Sequence, residues 1–214
     1  TLTGSNADII GDALASVLRQ VDRCIVIDTG AQDDTVDVAR RVAGDKLLLH
    51  RFPWKDDFAA ARNFALGAAA KAGATWALTL DTDERLLFDR DFDLARALAR
   101  TQAQVCMVAD DVGSYSKERI VRLPAKVRWE GPTHECLMGR TTAETLNLRG
   151  VRFHELPKDP AGTRRKFERD VAILKRYTRQ HAKQASWFYY LGASHKHLGP
   201  HARHGRATAV RPGL

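Results

Sequence analysis

The sequence is short of cysteine, has no long apolar run and lacks a glycine-rich basic loop, and each lack removes a class of protein. Three cysteines, Cys24, Cys106 and Cys136, are scattered through 214 residues without a CxxC pair. An odd, widely spaced set does not make a disulfide framework, so a reducing cytoplasm is the expected compartment. Cys24 and Cys106 sit inside apolar stretches and read as small buried hydrophobes. No apolar stretch approaches the roughly 20 residues that a bilayer-spanning helix requires, and no signal peptide opens the chain. The first residue is Thr1 and not Met, so the natural chain is expected to start earlier. Gly4-Ser5-Asn6 is too poor in glycine and in positive charge to be a phosphate loop.

What is present is enough apolar material for a core, at 44% of residues, and a formal charge of +8. The charge is unevenly spread. From Lys158 onward 13 Lys and Arg stand against 3 Asp and Glu, whereas before it the numbers are 21 and 23. The last part therefore carries all the excess, which suits either an anionic partner or a solvated helix face.

The most informative segment is Leu78-Thr79-Leu80-Asp81-Thr82-Asp83-Glu84, an apolar strand-like run that stops at three carboxylates. At a strand end, positions i and i+2 point to one side, so Asp81 and Asp83 are expected to face one ligand. Hard oxygen donors of this kind suit Mg²⁺ or Mn²⁺.

The rest of the first half alternates strand and helix. Thr1–Thr3 reads as the end of a strand. Asp8 is expected to cap a helix carrying Ile10, Leu14, Val17 and Leu18. Cys24–Ile27 is a buried parallel-type strand that ends at Asp28. A helix starts at Asp33 or Asp34, a strand covers 46–50, an alanine-rich helix covers 57–71 and a strand covers 75–80. The alternation predicts a parallel sheet with helices on both faces, with ligands outside the carboxyl ends of the strands, where Asp28, Asp81 and Asp83 fall. Strands at 104–109, 119–123 and 146–153 belong to a mixed second half. Helices at 164–183 and 186–198 form a hairpin with Phe167, Val171, Leu174 and Tyr177 on the apolar face of the first. The tail from Gly199 has no apolar period and is expected to be disordered. His195, His197, His201 and His204 do not read as a metal site, because Gly199-Pro200 breaks the helix between His197 and His201.

Several motifs coincide in order: Asn6-Ala7-Asp8; Val26-Ile27-Asp28-Thr29-Gly30 with Asp33-Asp34-Thr35; Trp54-Lys55-Asp56-Asp57-Phe58 with Arg62-Asn63; Asp81-Thr82-Asp83-Glu84; and Gly131-Pro132-Thr133-His134-Glu135. As an ordered set over residues 1 to about 155 they resemble family 2 glycosyltransferases of the GT-A fold, in the bacterial subgroup with a W-x-D-D-F-x-x-x-R-N segment. The resemblance implies a Rossmann-like mixed, mainly parallel α/β sheet flanked by helices over 1–157. A basic helical hairpin over 158–198 and the tail over 199–214 would follow. It also implies apolar residues ahead of Thr1, in a strand that cradles the nucleobase.

The resemblance further implies transfer of a sugar, usually with inversion and with Mg²⁺ or Mn²⁺, from a nucleoside-diphosphate sugar, a UDP-sugar being favoured. By position, Asn6, Asp28, Arg62, Asn63, Asp81 and His134 would bind substrate, Asp28 at the base or ribose. Asp81 and Asp83 would face ribose and metal, with His134 or His154 completing the metal shell or binding phosphate. Attack by an acceptor hydroxyl needs a base, for which Glu135 leads and Asp110 and Asp111 stand behind it. The acceptor is expected to be a glycan, a lipid-linked glycan or a peptide, with peripheral contact at the inner face of an anionic membrane. Nucleic acid is not an expected partner. Two other readings remain at this stage: a nucleotidyltransferase acting on a sugar phosphate, and a basic interaction module without activity.

Overall fold

The computed structural model describes residues 1–199. In chain order the elements are β1 (Leu2–Thr3), α1 (Ile10–Ala15), β2 (Cys24–Asp28), α2 (Thr35–Ala43), β3 (Leu47–Arg51), α3 (Phe58–Lys71), β4 (Trp76–Leu78), β5 (Glu84–Phe88), α4 (Leu94–Ala99), β6 (Val105–Asp110), β7 (Ser116–Arg122), β8 (Arg128–Glu130), β9 (Cys136–Met138), β10 (Thr145–Glu155), α5 (Pro160–Gln180) and α6 (Ala185–Leu198). They form two compact units. One holds Thr1–Gly131 and Glu135–Pro157; the other holds Pro132–His134 and the chain from Lys158. His201 and His204, with nearly all of the expected tail, lie outside the described residues.

In the first unit, β1, β2 and β3 make a parallel sheet in that order. Its fully buried Val26 packs with Ile10, Leu14, Ala39 and Ala43 from α1 and α2. The second sheet runs β4-β7-β6-β10-β5, and only its β10–β6 pair is parallel. Parallel pairing therefore runs through the first three strands and recurs at β10–β6, within a mixed fold of the expected kind. The directly connected β6 and β7 pair antiparallel, as do β8 and β9. Side-chain alternation gives this sheet two apolar faces. Cys106, Val108, Ile120 and Phe153 pack with α4 on one, and Val105 and Val121 pack with Ala59, Leu66 and Trp129 on the other. Gly150 marks the irregularity in β10. Its φ is +86°, and a Cβ there would meet the Phe92 ring at 2.4 Å, so only glycine fits.

The facing edges of β1–β2 and β4 border a cavity of about 610 Å³, lined by Leu2, Ile25, Leu66, Trp76 and Leu78 among others. The Thr1 nitrogen beside it donates to the Ile25 carbonyl at 2.9 Å.

Asp8 does not cap α1. The cap position is Ile9, and the first amides, those of Ile9 and Ile10, donate instead to the Asn6 carbonyl at 3.1 and 3.0 Å. Asp57 does cap α3, accepting from the Ala60 amide at 2.8 Å. In the second unit α5 starts on Asp159 with Pro160 in its first turn, and buries Val171, Ile173 and Leu174. Trp187 of α6 meets the Tyr177 ring edge-on at 5.6 Å. Among the described residues no helix is long and apolar enough to cross a membrane.

Candidate active site

The W-x-D-D-F segment is a device for launching α3. The Trp54 indole donates to Asp56 at 2.8 Å and packs edge-on against Phe58 at 4.6 Å, while Asp57 caps the helix. One turn after Phe58 stands Arg62, whose side chain is 14% exposed. Its Nη2 donates to Asp81 at 2.9 Å and its Nε to Glu135 at 2.5 Å, over the Trp129 ring. The next residue, Asn63, pairs with the Trp129 backbone, accepting from its amide and donating to its carbonyl, both at 2.9 Å. It therefore braces β8 against α3, and its second amide N–H is not used by that pair.

β4 ends at Leu78, short of the acids, so Asp81 and Asp83 lie in a turn and strand alternation does not aim them. The turn closes through the Glu84 amide, which donates to the Asp81 carbonyl at 3.1 Å. The Thr79 amide donates to the Arg119 carbonyl at 2.7 Å, which sets Arg119 of β7 alongside the turn. Arg119 Nη2 then bonds Asp81 at 3.4 Å and also bonds Glu84. Burial would raise the Asp81 carboxyl, but Arg62 and Arg119 overcome it and hold the group well below the usual carboxylate range. Burial instead pushes Glu84 up, with Arg119 and Lys117 restraining the shift. Lys117 joins Glu84 at 2.9 Å to Glu155 at 2.8 Å.

Asp28 and Asn6 stand at the carboxyl ends of β2 and β1. Asp28 Oδ1 accepts from the Gly30 and Ala31 amides, both at 2.8 Å, which closes the turn into the loop before α2. Asn6 Oδ1 accepts from the Gly4 amide at 3.3 Å and the Thr3 hydroxyl at 3.2 Å. Asp110 closes the β6–β7 turn, taking bonds from Ser114 at 2.7 Å and the Tyr115 amide at 3.1 Å.

His154 pairs away from the strand-end acids. His154 alternates with Glu155 along β10, so it points away from Lys117 and Glu84, and its Nδ1 meets Asp111 at 2.6 Å. His134 belongs to the second unit. There it stacks on Tyr190 at 4.7 Å, with its Nε2 3.6 Å from buried Asp170, the acid to which Thr133 donates at 3.0 Å. A divalent ion still suits the turn. Among the described residues no three His, Cys, Asp or Glu side chains form a ready cage. An ion such as Mg²⁺, however, is held by one or two carboxylates plus substrate phosphates and water. Both Asp81 oxygens meet arginines.

Sequence reasoning missed Glu84, Lys117 and Arg119. Lys117 and Arg119 alternate immediately before the apolar Ile120-Val121, and two cations on one face of a strand entering a core are the signal that could have found them.

The glycosyl transferase family 2 model matches residues 4–171. A TPR repeat-containing protein of Synechococcus elongatus is 38% identical over 135 residues, covering 60% of this chain and 32% of that protein. The SPbeta prophage-derived glycosyltransferase SunS of Bacillus subtilis is 23% identical over 194 residues, covering 86% of this chain and 45% of SunS. The chain thus spans less than half the length of these relatives. The structure of S. aureus TarS in complex with UDP-GlcNAc superposes with a TM-score of 0.52 over 92% of this chain and 70% of that one, at 12% identity. That last likeness is one of fold.

Proposed function

The chain belongs to glycosyltransferase family 2, and on that premise we propose that it moves a sugar from a nucleoside-diphosphate sugar, with a UDP-sugar favoured, to an acceptor hydroxyl with inversion at the anomeric carbon. The observation that carries this reading is the single guanidinium of Arg62 held between Asp81 at 2.9 Å and Glu135 at 2.5 Å. A donor-facing acid and a candidate base thereby share one buried cation. In this reading Asp28 contacts the base or ribose through the oxygen not used by its turn, and Asp81 meets the ribose. Glu135 takes the proton from the acceptor hydroxyl as the new bond forms and the nucleoside diphosphate leaves. Arg62 would compensate negative charge on that leaving group. Asp83 would hold Mg²⁺ or Mn²⁺, which when bound supplies further positive charge for the leaving diphosphate. Asn63 enters as a brace. The basic α5–α6 hairpin faces an anionic acceptor: a glycan, a lipid-linked glycan at the inner face of a membrane, or a peptide.

The test is release of UDP, GDP or dTDP from the matching sugar nucleotides, with Mn²⁺ or with EDTA. Release from one nucleotide class, lost in EDTA and in Glu135→Gln, is the expected result. Wild-type protein that binds and cleaves no sugar nucleotide overturns the reading.

A further inference from the structure

Arg119 is an expensive residue in its place. Its side chain is 3% exposed, its Nε has no hydrogen-bond partner among the described residues, and its guanidinium lies 5.4 Å from the centroid of the Phe153 ring. A buried guanidinium with an unmet donor is destabilising, and an apolar pair at such positions is often at least as stable as the ion pair. Local choices that conflict with stability concentrate at functional sites.

The bonds Arg119 makes say what it holds. One nitrogen, Nη2, spans Asp81 and the fully buried Glu84. Glu84 in turn accepts from the Asp81 backbone amide at 3.3 Å through its other oxygen. Glu84 thus grips the Asp81 residue twice, once at the main chain and once, through Arg119, at the carboxylate. Arg62 approaches that carboxylate on its remaining oxygen.

We propose that Arg119 is a positioning residue for donor binding: it ties the Asp81 carboxylate to buried Glu84 and fixes the direction in which that carboxylate meets the nucleotide. The proposal rests on the reading of Asp81 as a donor contact. It separates Arg119 from Lys117, which also bonds Glu84 but goes on to Glu155 and not to Asp81.

The test is calorimetric binding of UDP and of GDP, each with Mn²⁺, to the 214-residue chain, alongside thermal unfolding. Arg119→Met alone should lower the unfolding midpoint, because Glu84 keeps its charge with one partner fewer. Arg119→Met with Glu84→Gln should regain most of that midpoint, since both buried charges are gone. Nucleotide affinity in the double variant should remain about tenfold below wild type, the scale of one lost charge-assisted contact. Lys117→Met should lower the midpoint yet keep affinity within about twofold, a difference that a purely structural role would not produce. If both Arg119→Met proteins fail to fold, Arg119→Lys keeps the charge without the reach to both acids and carries the same expected loss. A folded Arg119 variant with wild-type affinity overturns the positioning role alone. Wild-type protein that binds neither nucleotide overturns the donor reading and the positioning role with it.

Discussion

Asp81 and Asp170 are both clasped by two cations, and they are clasped differently. Asp170 on α5 is fully buried, and its cations are neighbours on its own helix: Lys166 at 2.9 Å and Arg169 at 3.0 Å. Asp81 keeps 30% of its side chain exposed, and its cations come from elsewhere, Arg62 lying 19 residues away and Arg119 lying 38. A helix can build the first arrangement from its own sequence, and the acid is spent on it. The second exists only because a helix and a strand from distant parts of the chain converge, and it leaves the acid within reach of a ligand. Distant partners and retained exposure, more than the number of charges, distinguish a site from a brace.

If that distinction holds, the largest effects belong to the strand-end cluster. Glu135→Gln should keep nucleotide binding and lose turnover by about 10²–10⁴-fold, the usual range for a general base. Steady-state rates of nucleotide release decide it, and full activity would move the base to Asp110, Asp111 or another residue. Asp81→Asn comes next. It leaves Arg62 and Arg119 short of a counter-charge, so donor affinity should drop roughly tenfold or more. The unfolding free energy should drop as well, by about 1–3 kcal/mol. Calorimetry and a denaturant melt read the two separately, and an intact donor affinity would make the cluster a brace like Asp170. Asp170→Asn should show the reverse pattern. Its melt should lose about 1–3 kcal/mol, discounted for the exposure of Lys166 and Arg169, while nucleotide binding stays within about twofold of wild type. A large fall in binding would erase the contrast.

The same contrast explains what the sequence told and what it withheld. Elements with a strong local period were legible: Cys24-Ile25-Val26-Ile27 as a buried strand, the alanine-rich α3 with Asp57 at its start, and the apolar face of α5. β5 was not, because it opens on Glu84-Arg85 and looks like part of the acidic turn. Its pairing partner β10 lies more than sixty residues on, with Val151 opposite Phe88. The three-residue β8 and β9 carry no period at all. Among the candidate site residues, Asp81, Arg62 and Glu135 could each be picked out as chemically apt. Their grouping could not, because Arg62 and Glu135 are 73 residues apart and no local spacing encodes that bond. His154 pairs with Asp111 for a register reason, its side chain being on the other side of β10 from Glu155. Asp8 failed because the Asn6 carbonyl already served the first amides of α1.

The finest test of the contrast is the pH dependence of the Asp170 contribution. Burial alone would raise this carboxyl, but the bond from Lys166 and the charge of Arg169 outweigh it and hold the group below its ordinary range. A carboxyl whose folded value is depressed binds fewer protons than in the unfolded chain, so its stabilisation is fully present above the unfolded value of about 4. It is lost as pH falls through the folded value. His134 Nε2 also faces Asp170, at 3.6 Å. The stability gap between wild type and Asp170→Asn should therefore hold from pH 7 to about 5, and shrink below about 4. Denaturant melts of both proteins at pH 7, 5 and 3 read it directly. A gap that keeps growing down to pH 3 would mean that Asp170 is protonated in the folded chain. The helix would then be held by a neutral hydrogen bond to Thr133, and the two acids would differ in charge as well as in reach.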